Sequence, residues 1–455
     1  MGESEKDTAA LAYINRLAKQ LAPSADVVKK NLKRNDNVVH LLYLKSVVDM
    51  MQLQEVIVKP FYGNSAEQDF AEYVQSLPYE TQMPTGDEEV LTEITKGNVL
   101  VMIDKQITLL ELKMVLANTV QAAEMEPTIH GPQLGLSESI ETNINLIRQR
   151  YHQPSLMIET MQLDEASNRT VALLYDREKV RPELLEEIKL RINNLDVELV
   201  QGSADLQYYL NNSKYTLLPK TLLSGRPDRL LHNVTGGKVI IMVDGSPHGI
   251  IAPVVFFDFM LSMEDNYHSF WIVSAIRLLR YAGIIICTML PSVYVGITSY
   301  NPDIFKTELA LTVAASRIGV PYPSFIEVFL MLLFIELLTE ASIRLPEKVS
   351  STATTVGGLI LGTAAVEAAL VSNVMVIVIS LVAISTFVIP INEMSYAIRV
   401  CRFLLLLYTT SFGLAGLVLG MIGLVMYLVN LNSFGEPFLR VAWKDRHEEL
   451  KADDQ

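Results

Sequence analysis

The sequence predicts a two-part chain: an α/β cytoplasmic N-terminal region of two subdomains, followed by an α-helical polytopic membrane domain. Two observations predict it. Long apolar segments crowd residues 270–430, whereas alternating helix-like and strand-like patterns occupy the residues before them. Half of the 455 residues are hydrophobic and the mean hydropathy is +0.28, above the usual range of a water-soluble domain. The division reads as a first α/β subdomain at 1–130, a second at 131–268, a transmembrane helical domain of four to five spans at 269–435, and a charged tail at 436–455.

The first subdomain opens with a helix over Asp7–Gln20. A second helix is predicted over Ser24–Arg34, with Ser24 as its N-cap after Pro23. Strands follow at Val38–Leu44 and Glu55–Val58. The apolar run Asn98–Asp104 leads into a helical stretch over Leu109–Met125, ended by Pro127 and the turn-rich 131–135. The second subdomain repeats the style with a helix at Ser137–Tyr151, a strand at Thr170–Tyr175, a proline-opened helix at Arg181–Asn193 and a strand at Lys238–Val243. No close internal sequence repeat is visible.

Five apolar stretches form the second part: Tyr281–Ile297, Ser324–Leu338, Thr355–Val371, Val374–Ile389 and Phe403–Val429. A span needs roughly 20 residues, and Ser324–Leu338 is short and carries Glu327 and Glu336, so it reads either as a span or as a re-entrant or interfacial helix. If it spans, Arg344, Lys348, Arg399 and Arg402 share a side with Arg277 and Arg280, and the C-terminal tail is exported. Otherwise the tail, with Arg440, Lys444 and Arg446, stays inside.

Composition excludes several functions. The start, MGESEKDTAALAYINRLAKQ, lacks the basic and apolar regions of a signal peptide, and Lys6 departs from the pattern for myristoylation at Gly2, which places the N-terminal half in the cytoplasm. A net charge of −14 argues against nucleic acid, and Lys29-Lys30 and Lys33-Arg34 read as solvated helix faces. Cys287 and Cys401, the two cysteines, lie in or beside apolar stretches and read as buried packing thiols. Ser246 has no His or acid at an activating distance in sequence, and the seven histidines are scattered. Thr235-Gly236-Gly237-Lys238 lacks the remaining residues of a phosphate-binding loop. No enzyme, metal site or cofactor is expected.

The helix over 356–370 is the more informative segment. One face carries Val356, Ile360, Thr363, Glu367 and Leu370; the opposite face carries Gly358, Gly362, Ala365 and Ala369. The small face permits close approach of a neighbouring helix, while Glu367 is costly in hydrocarbon unless it meets water or a partner. Thr363 and Glu367 therefore read either as lining an ion pathway or as pairing inside a helix bundle. Gly413, Gly416, Gly420 and Gly423 form a second packing stripe, and Glu336, Glu340 and Arg344 step by four along one face, suited to a local ion pair. Asp244-Gly245-Ser246-Pro247 closes a β-branched strand and reads as a structural turn.

In this order, several short stretches become specific. They are Gly131-Pro132-Gln133-Leu134-Gly135, Asn145-Leu146-Ile147-Arg148-Gln149-Arg150, Val243-Asp244-Gly245-Ser246-Pro247, Met263-Glu264-Asp265 and Arg277-Leu278-Leu279-Arg280-Tyr281. Leu290-Pro291-Ser292-Val293-Tyr294, Ala314-Ala315-Ser316-Arg317, Gly319-Val320-Pro321-Tyr322-Pro323 and Leu345-Pro346 continue the series, with Glu340 and Arg344 just before the last. With them the chain resembles the A subunit of bacterial spore germinant receptors, the GerA-type family, over most of its length. The resemblance implies a multi-pass protein of the spore inner membrane, with its N-terminal domain cytoplasmic, working with B and C subunits in nutrient sensing. It further implies a homo-oligomer in membrane lipid that passes monovalent cations when a germinant shifts it from closed to open. The match is incomplete at Thr363, where the family often carries Asp or Gln, and at Glu367, often an amide. The resemblance leaves two other readings, a non-conducting scaffold and a nutrient transporter, for which Gly357-Gly358 and Pro390 would supply helix breaks.

Overall fold

The fold is seen in a computed structural model that describes residues 3–34, 37–63, 70–81, 86–103, 106–114, 131–163, 169–195, 197, 199–211 and 216–440. The chain divides into two compact units: Met1–Lys214 with Thr221–Pro253, and Tyr215–Lys220 with Val254–Gln455.

The first unit holds two five-stranded antiparallel sheets. Helix α1 (Glu3–Leu21) leads into β1 (Val27–Arg34) and β2 (Asn37–Leu44); three short helical segments follow, α2 (Met50–Leu53), α3 (Lys59–Gly63) and α4 (Phe70–Gln75). Then come β3 (Glu80–Thr81), α5 (Asp87–Thr95), β4 (Asn98–Ile103) and β5 (Gln106–Glu111), paired in the order β1-β2-β4-β5-β3. The central strands are apolar on both sides because both faces are covered. Leu41 and Tyr43 pack with Ile57, Phe61 and Val74 on one side, while Leu42 and Leu44 pack with Ile14, Leu17 and Ile94 on the other.

Several expectations fail here. Val27–Arg34 is a strand paired residue by residue with β2, not a helix. Ser24 caps no helix; its hydroxyl donates instead to Asp26 (2.6 Å). Lys29 and Lys30 do face solvent, but from a strand. The run Glu55–Val58 reads as a strand in sequence yet forms a π-helical turn, Gln54–Val58, with Ile57 buried and Val56 and Val58 half-buried against the same cluster, and Asp49 caps the preceding turn through Met51 N and Gln52 N. Leu109 and Leu110 lie in β5, paired with β4, so the start of the predicted Leu109–Met125 helix is a strand; its remainder from 115 lies outside the described residues.

The second sheet has helices α6 (Ile140–Arg148), α7 (Pro182–Asn193), α8 (Ser203–Leu210) and α9 (Pro227–Thr235), with β6 (Leu156–Gln162), β7 (Thr170–Asp176), β8 (Leu222–Ser224), β9 (Val239–Val243) and β10 (Gly249–Ala252). Its order is β6-β7-β9-β10-β8. Counted from its own first strand this is the order of the first sheet, so the halves repeat in topology although no repeat shows in sequence.

The sheets are joined through a buried ion pair. Arg148 on α6 reaches Asp26 just before β1 through Nε (3.2 Å) and Nη2 (3.1 Å), and its Nη2 also donates to Ser24 (2.9 Å). Ser46 supplies a further donor to Asp26 (2.5 Å). Burial alone would push the Asp26 carboxyl up, but the Arg148 charge and the two serine hydroxyls hold it below the usual carboxylate range.

The second unit is helical: α10 (Phe270–Val295), α11 (Thr307–Arg317), α12 (Ser324–Ile343), α13 (Glu347–Glu367), α14 (Asn373–Phe387) and α15 (Asn392–Asn430), closed by the two-residue strands β11 (Asn432–Ser433) and β12 (Glu436–Pro437). Phe270–Tyr300, Val349–Glu367 and Asn392–Asn430 are long and apolar enough to cross a membrane. Ser324–Ile343 is 20 residues long and carries Glu327, Glu336 and Glu340, and α14 is apolar but only 15 residues.

Contacts set the direction of each helix. Ser299 past the end of α10 bonds Ser324 at the start of α12, so α12 runs back. The turn at 344–346 reverses the chain, and Gly357 of α13 passes Leu338. Ser372 before α14 meets Glu327, and Thr386 near the end of α14 meets Cys287 in α10. In α15, Arg402 also reaches Cys287 and the Thr410 carbonyl accepts from Tyr300.

At Gly413 the helix breaks, with φ 62° and ψ −147°. The limb 414–430 folds back, bringing Gly420 against Leu405; fifteen residues of straight helix would hold them about 22 Å apart. The stripe expected at Gly413, Gly416, Gly420 and Gly423 is therefore not one helix face. Gly413 is the bend, Gly416 and Gly420 face Tyr408 and Leu405 of the other limb, and a methyl group placed on Gly423 would meet nothing within 4 Å among the described residues. The exit meets the entry: Phe256 N donates to Phe438 O (2.8 Å) and Leu217 N to the Tyr427 hydroxyl (3.0 Å). Residues 437 and 438 thus lie beside Phe256, a short way before α10.

Candidate ion pathway and buried ion pairs

Helix α13 is exposed around most of its circumference, with Ala365 its buried residue among those described. On the expected face Val356, Ile360, Thr363 and Glu367 are all exposed. The Thr363 hydroxyl bonds back to the Leu359 carbonyl (2.9 Å), and Glu367 makes no bond to another side chain among the described residues. Leu370 does not continue this face: the helix ends at Glu367, Ala369 turns at φ 54°, and Leu370 packs on the helical core. On the small-residue side Ala365 is buried with Tyr294, Val328 and Met375, while a methyl group placed on Gly358 would meet Leu338 (3.6 Å) and one on Gly362 nothing within 4 Å among the described residues. The helix runs unbroken through Gly357-Gly358, and Pro390 lies between helices, so neither breaks a helix as the transporter reading needs.

Three carboxylates anchor the unit, each paired over a distance that sequence spacing does not reveal. Asp265 accepts from Arg280 twice (2.7 and 2.9 Å) and from Arg277 (3.4 Å); burial alone would push its carboxyl up, and the two arginines hold it below the usual range. Glu327, with no exposed surface, takes Arg317 Nε (3.0 Å), Ser372 N (3.2 Å) and Ser372 Oγ (3.1 Å). Glu336 takes Arg399 (3.1 Å) and Arg402 (2.5 Å). It takes no part in the pair expected along its own helix, where Glu340 meets Arg344 (2.7 Å). Cys287 and Cys401 are buried and free.

The remaining motif residues have structural places. Asp244 Oδ1 accepts from Ile140 N at the start of α6 (3.1 Å), Arg169 donates to the Asp244 carbonyl (2.8 Å), and Gly245 makes the turn at φ 80°. Ser246 is buried beside Gly202, with Pro247 after it, so the segment serves as a turn that caps α6. Pro323 and Pro346 are the N-cap residues of α12 and α13, and Pro321 lies in the loop before α12.

The family model for the Bacillus/Clostridium GerA spore germination protein matches residues 15–452, nearly the whole chain. The chain belongs to this family. Spore germination protein A1 of Bacillus subtilis (strain 168) is 33% identical over 428 residues, covering 92% of this chain and 88% of that one. Spore germination protein KA of the same strain is 31% identical over 433 residues, covering 92% and 79%. The membrane protein YfkQ of that strain is 30% identical over 421 residues, covering 90% and 81%. Among solved structures, the N-terminal domain of the A subunit of the Bacillus megaterium spore germinant receptor GerK3 matches with a TM-score of 0.40 at 21% identity, over 53% of this chain and 94% of that one.

Proposed function

We propose that this GerA-family chain is the A-type subunit of a nutrient receptor in the spore inner membrane, with its first unit in the cytoplasm. It assembles with itself and with B and C subunits, and passes monovalent cations along α13 when a germinant favours the open arrangement. One observation carries the reading: Thr363 and Glu367 face outward from an apolar helix that is long enough to span. A carboxylate is costly in hydrocarbon and cheapest at the end of a span, so Glu367, the last residue of α13, belongs against water or another chain. A ring of such faces around an axis meets that need and offers oxygen ligands to a cation.

A scaffold without conduction is the second reading, supported by the small face at Gly358 and Gly362, where a helix of a B or C subunit would fit. The test is cation flux from liposomes holding the chain with its B and C subunits, for wild type, Glu367→Ala and Thr363→Val, with particle size measured alongside. Germinant-dependent flux that changes several-fold in either variant supports the pathway. Assembled particles whose flux is indifferent to both substitutions refute α13 as its lining, and assembly without flux returns the scaffold.

A further inference from the structure

We propose that the open edge of Arg399, beside Glu336 where α15 meets α12, holds the phosphate of an anionic phospholipid headgroup. The argument begins with charge. Glu336 offers one oxygen to Arg399 (3.1 Å) and the other to Arg402 (2.5 Å), so two guanidinium groups share one carboxylate. Arginine does not shed its proton, and one positive charge is left over. Arg402 is almost fully buried; its Nη1 meets only the weak acceptor Cys287 Sγ (3.7 Å), and its Nε has no partner. Arg402 therefore depends on Glu336, and the surplus falls on Arg399.

Arg399 keeps an edge open, with its side chain 14% exposed. It stacks on Tyr396 (5.2 Å), and Tyr396, Val400 and Leu404 are all exposed along the same side of α15. The neighbouring charges do not supply the missing anion, because Glu340 is already paired with Arg344.

Depth selects the ligand. Arg402 sits at the level of Cys287, six residues beyond Tyr281, where the apolar stretch of α10 begins; that is about 9 Å in. Arg399 lies three residues nearer the edge, about 5 Å in, within reach of a headgroup for a side chain that extends its charge toward water. A tyrosine one turn further out and basic side chains where two helices meet are the usual surroundings of a bound lipid phosphate.

The test is native mass spectrometry of the detergent-solubilised full chain, titrated with dioleoylphosphatidylglycerol or dioleoylphosphatidylcholine. Wild type is expected to prefer the anionic lipid, and Arg399→Gln to lose about fivefold in its affinity for it. Arg399→Lys, which keeps a point charge, is expected to retain most of the preference. Unchanged lipid preference in Arg399→Gln overturns the proposal. So does equal loss in the Lys and Gln variants, which would mark a packing role. Weakened recovery of B and C subunits with lipid binding intact would assign the charge to a partner's carboxylate and overturn it as well.

Discussion

Replacing Asp26 by alanine strands the Arg148 guanidinium between the two sheets, where it is 1% exposed and Nη1 already lacks a partner. Removing one member of a buried pair costs about 3–5 kcal/mol, because the remaining charge is left unpaired out of water. Measured as amide hydrogen exchange over α6 in the full chain, this is about two to three and a half powers of ten in rate. Asp26→Leu with Arg148→Met removes both charges and keeps volume, and is expected to cost less than half as much. The pH dependence follows from the direction of the Asp26 shift. A carboxyl held below its unfolded value adds stability above about pH 4 that is lost as pH falls through the lower folded value. Thermal unfolding from pH 6 to pH 3 should therefore destabilise wild type more than Asp26→Ala. Equal exchange in the single and double variants, or a change under about 0.5 kcal/mol in Asp26→Ala, would refute the account of the seam.

Glu336→Gln leaves Arg399 and Arg402 without their shared carboxylate and should lower the unfolding temperature in detergent by about 6 °C or more, whereas Glu340→Gln, in a pair exposed on both sides, should stay within about 1–2 °C. Gly413→Ala forces a side chain into a backbone region open essentially to glycine alone and toward the Tyr300 ring at 3.0 Å, for a loss of about 1–3 kcal/mol; Gly423→Ala, with nothing within 4 Å, should leave the unfolding temperature unchanged or slightly raised.

The apolar runs at Val38–Leu44, Asn98–Asp104 and Lys238–Val243 were legible as strands because burial on both faces leaves a continuous hydrophobic signal. Edge strand β1 gives no such signal. Its lysines face water, and the serine that looked like a helix cap serves an ion pair with a residue 124 positions away. Hydropathy found the long helices of the second unit, but it is blind to direction, so the reversal at Gly413 inside an unbroken apolar run was invisible. Helical period alone groups Val356, Ile360, Thr363 and Glu367 on one side of α13, but Leu359, Ala364 and Ala368 are exposed as well, so exposure does not single that side out. The partners of Glu336 were not legible, because Arg399 and Arg402 stand 63 and 66 residues away and meet it only after α12 and α15 pack.

The bond between Phe256 N and Phe438 O closes the helical unit into a loop whose two ends touch. A segment with adjoining ends can be grafted, excised or circularly permuted as one cassette. Here the cassette carries a condition: Leu217 and Lys220, from the short excursion Tyr215–Lys220, bond Tyr427 and Ser433 at its closing end. Any transplant must bring that hexapeptide with it, because residues 215–220, remote from the helices in sequence, belong to the same unit as they do.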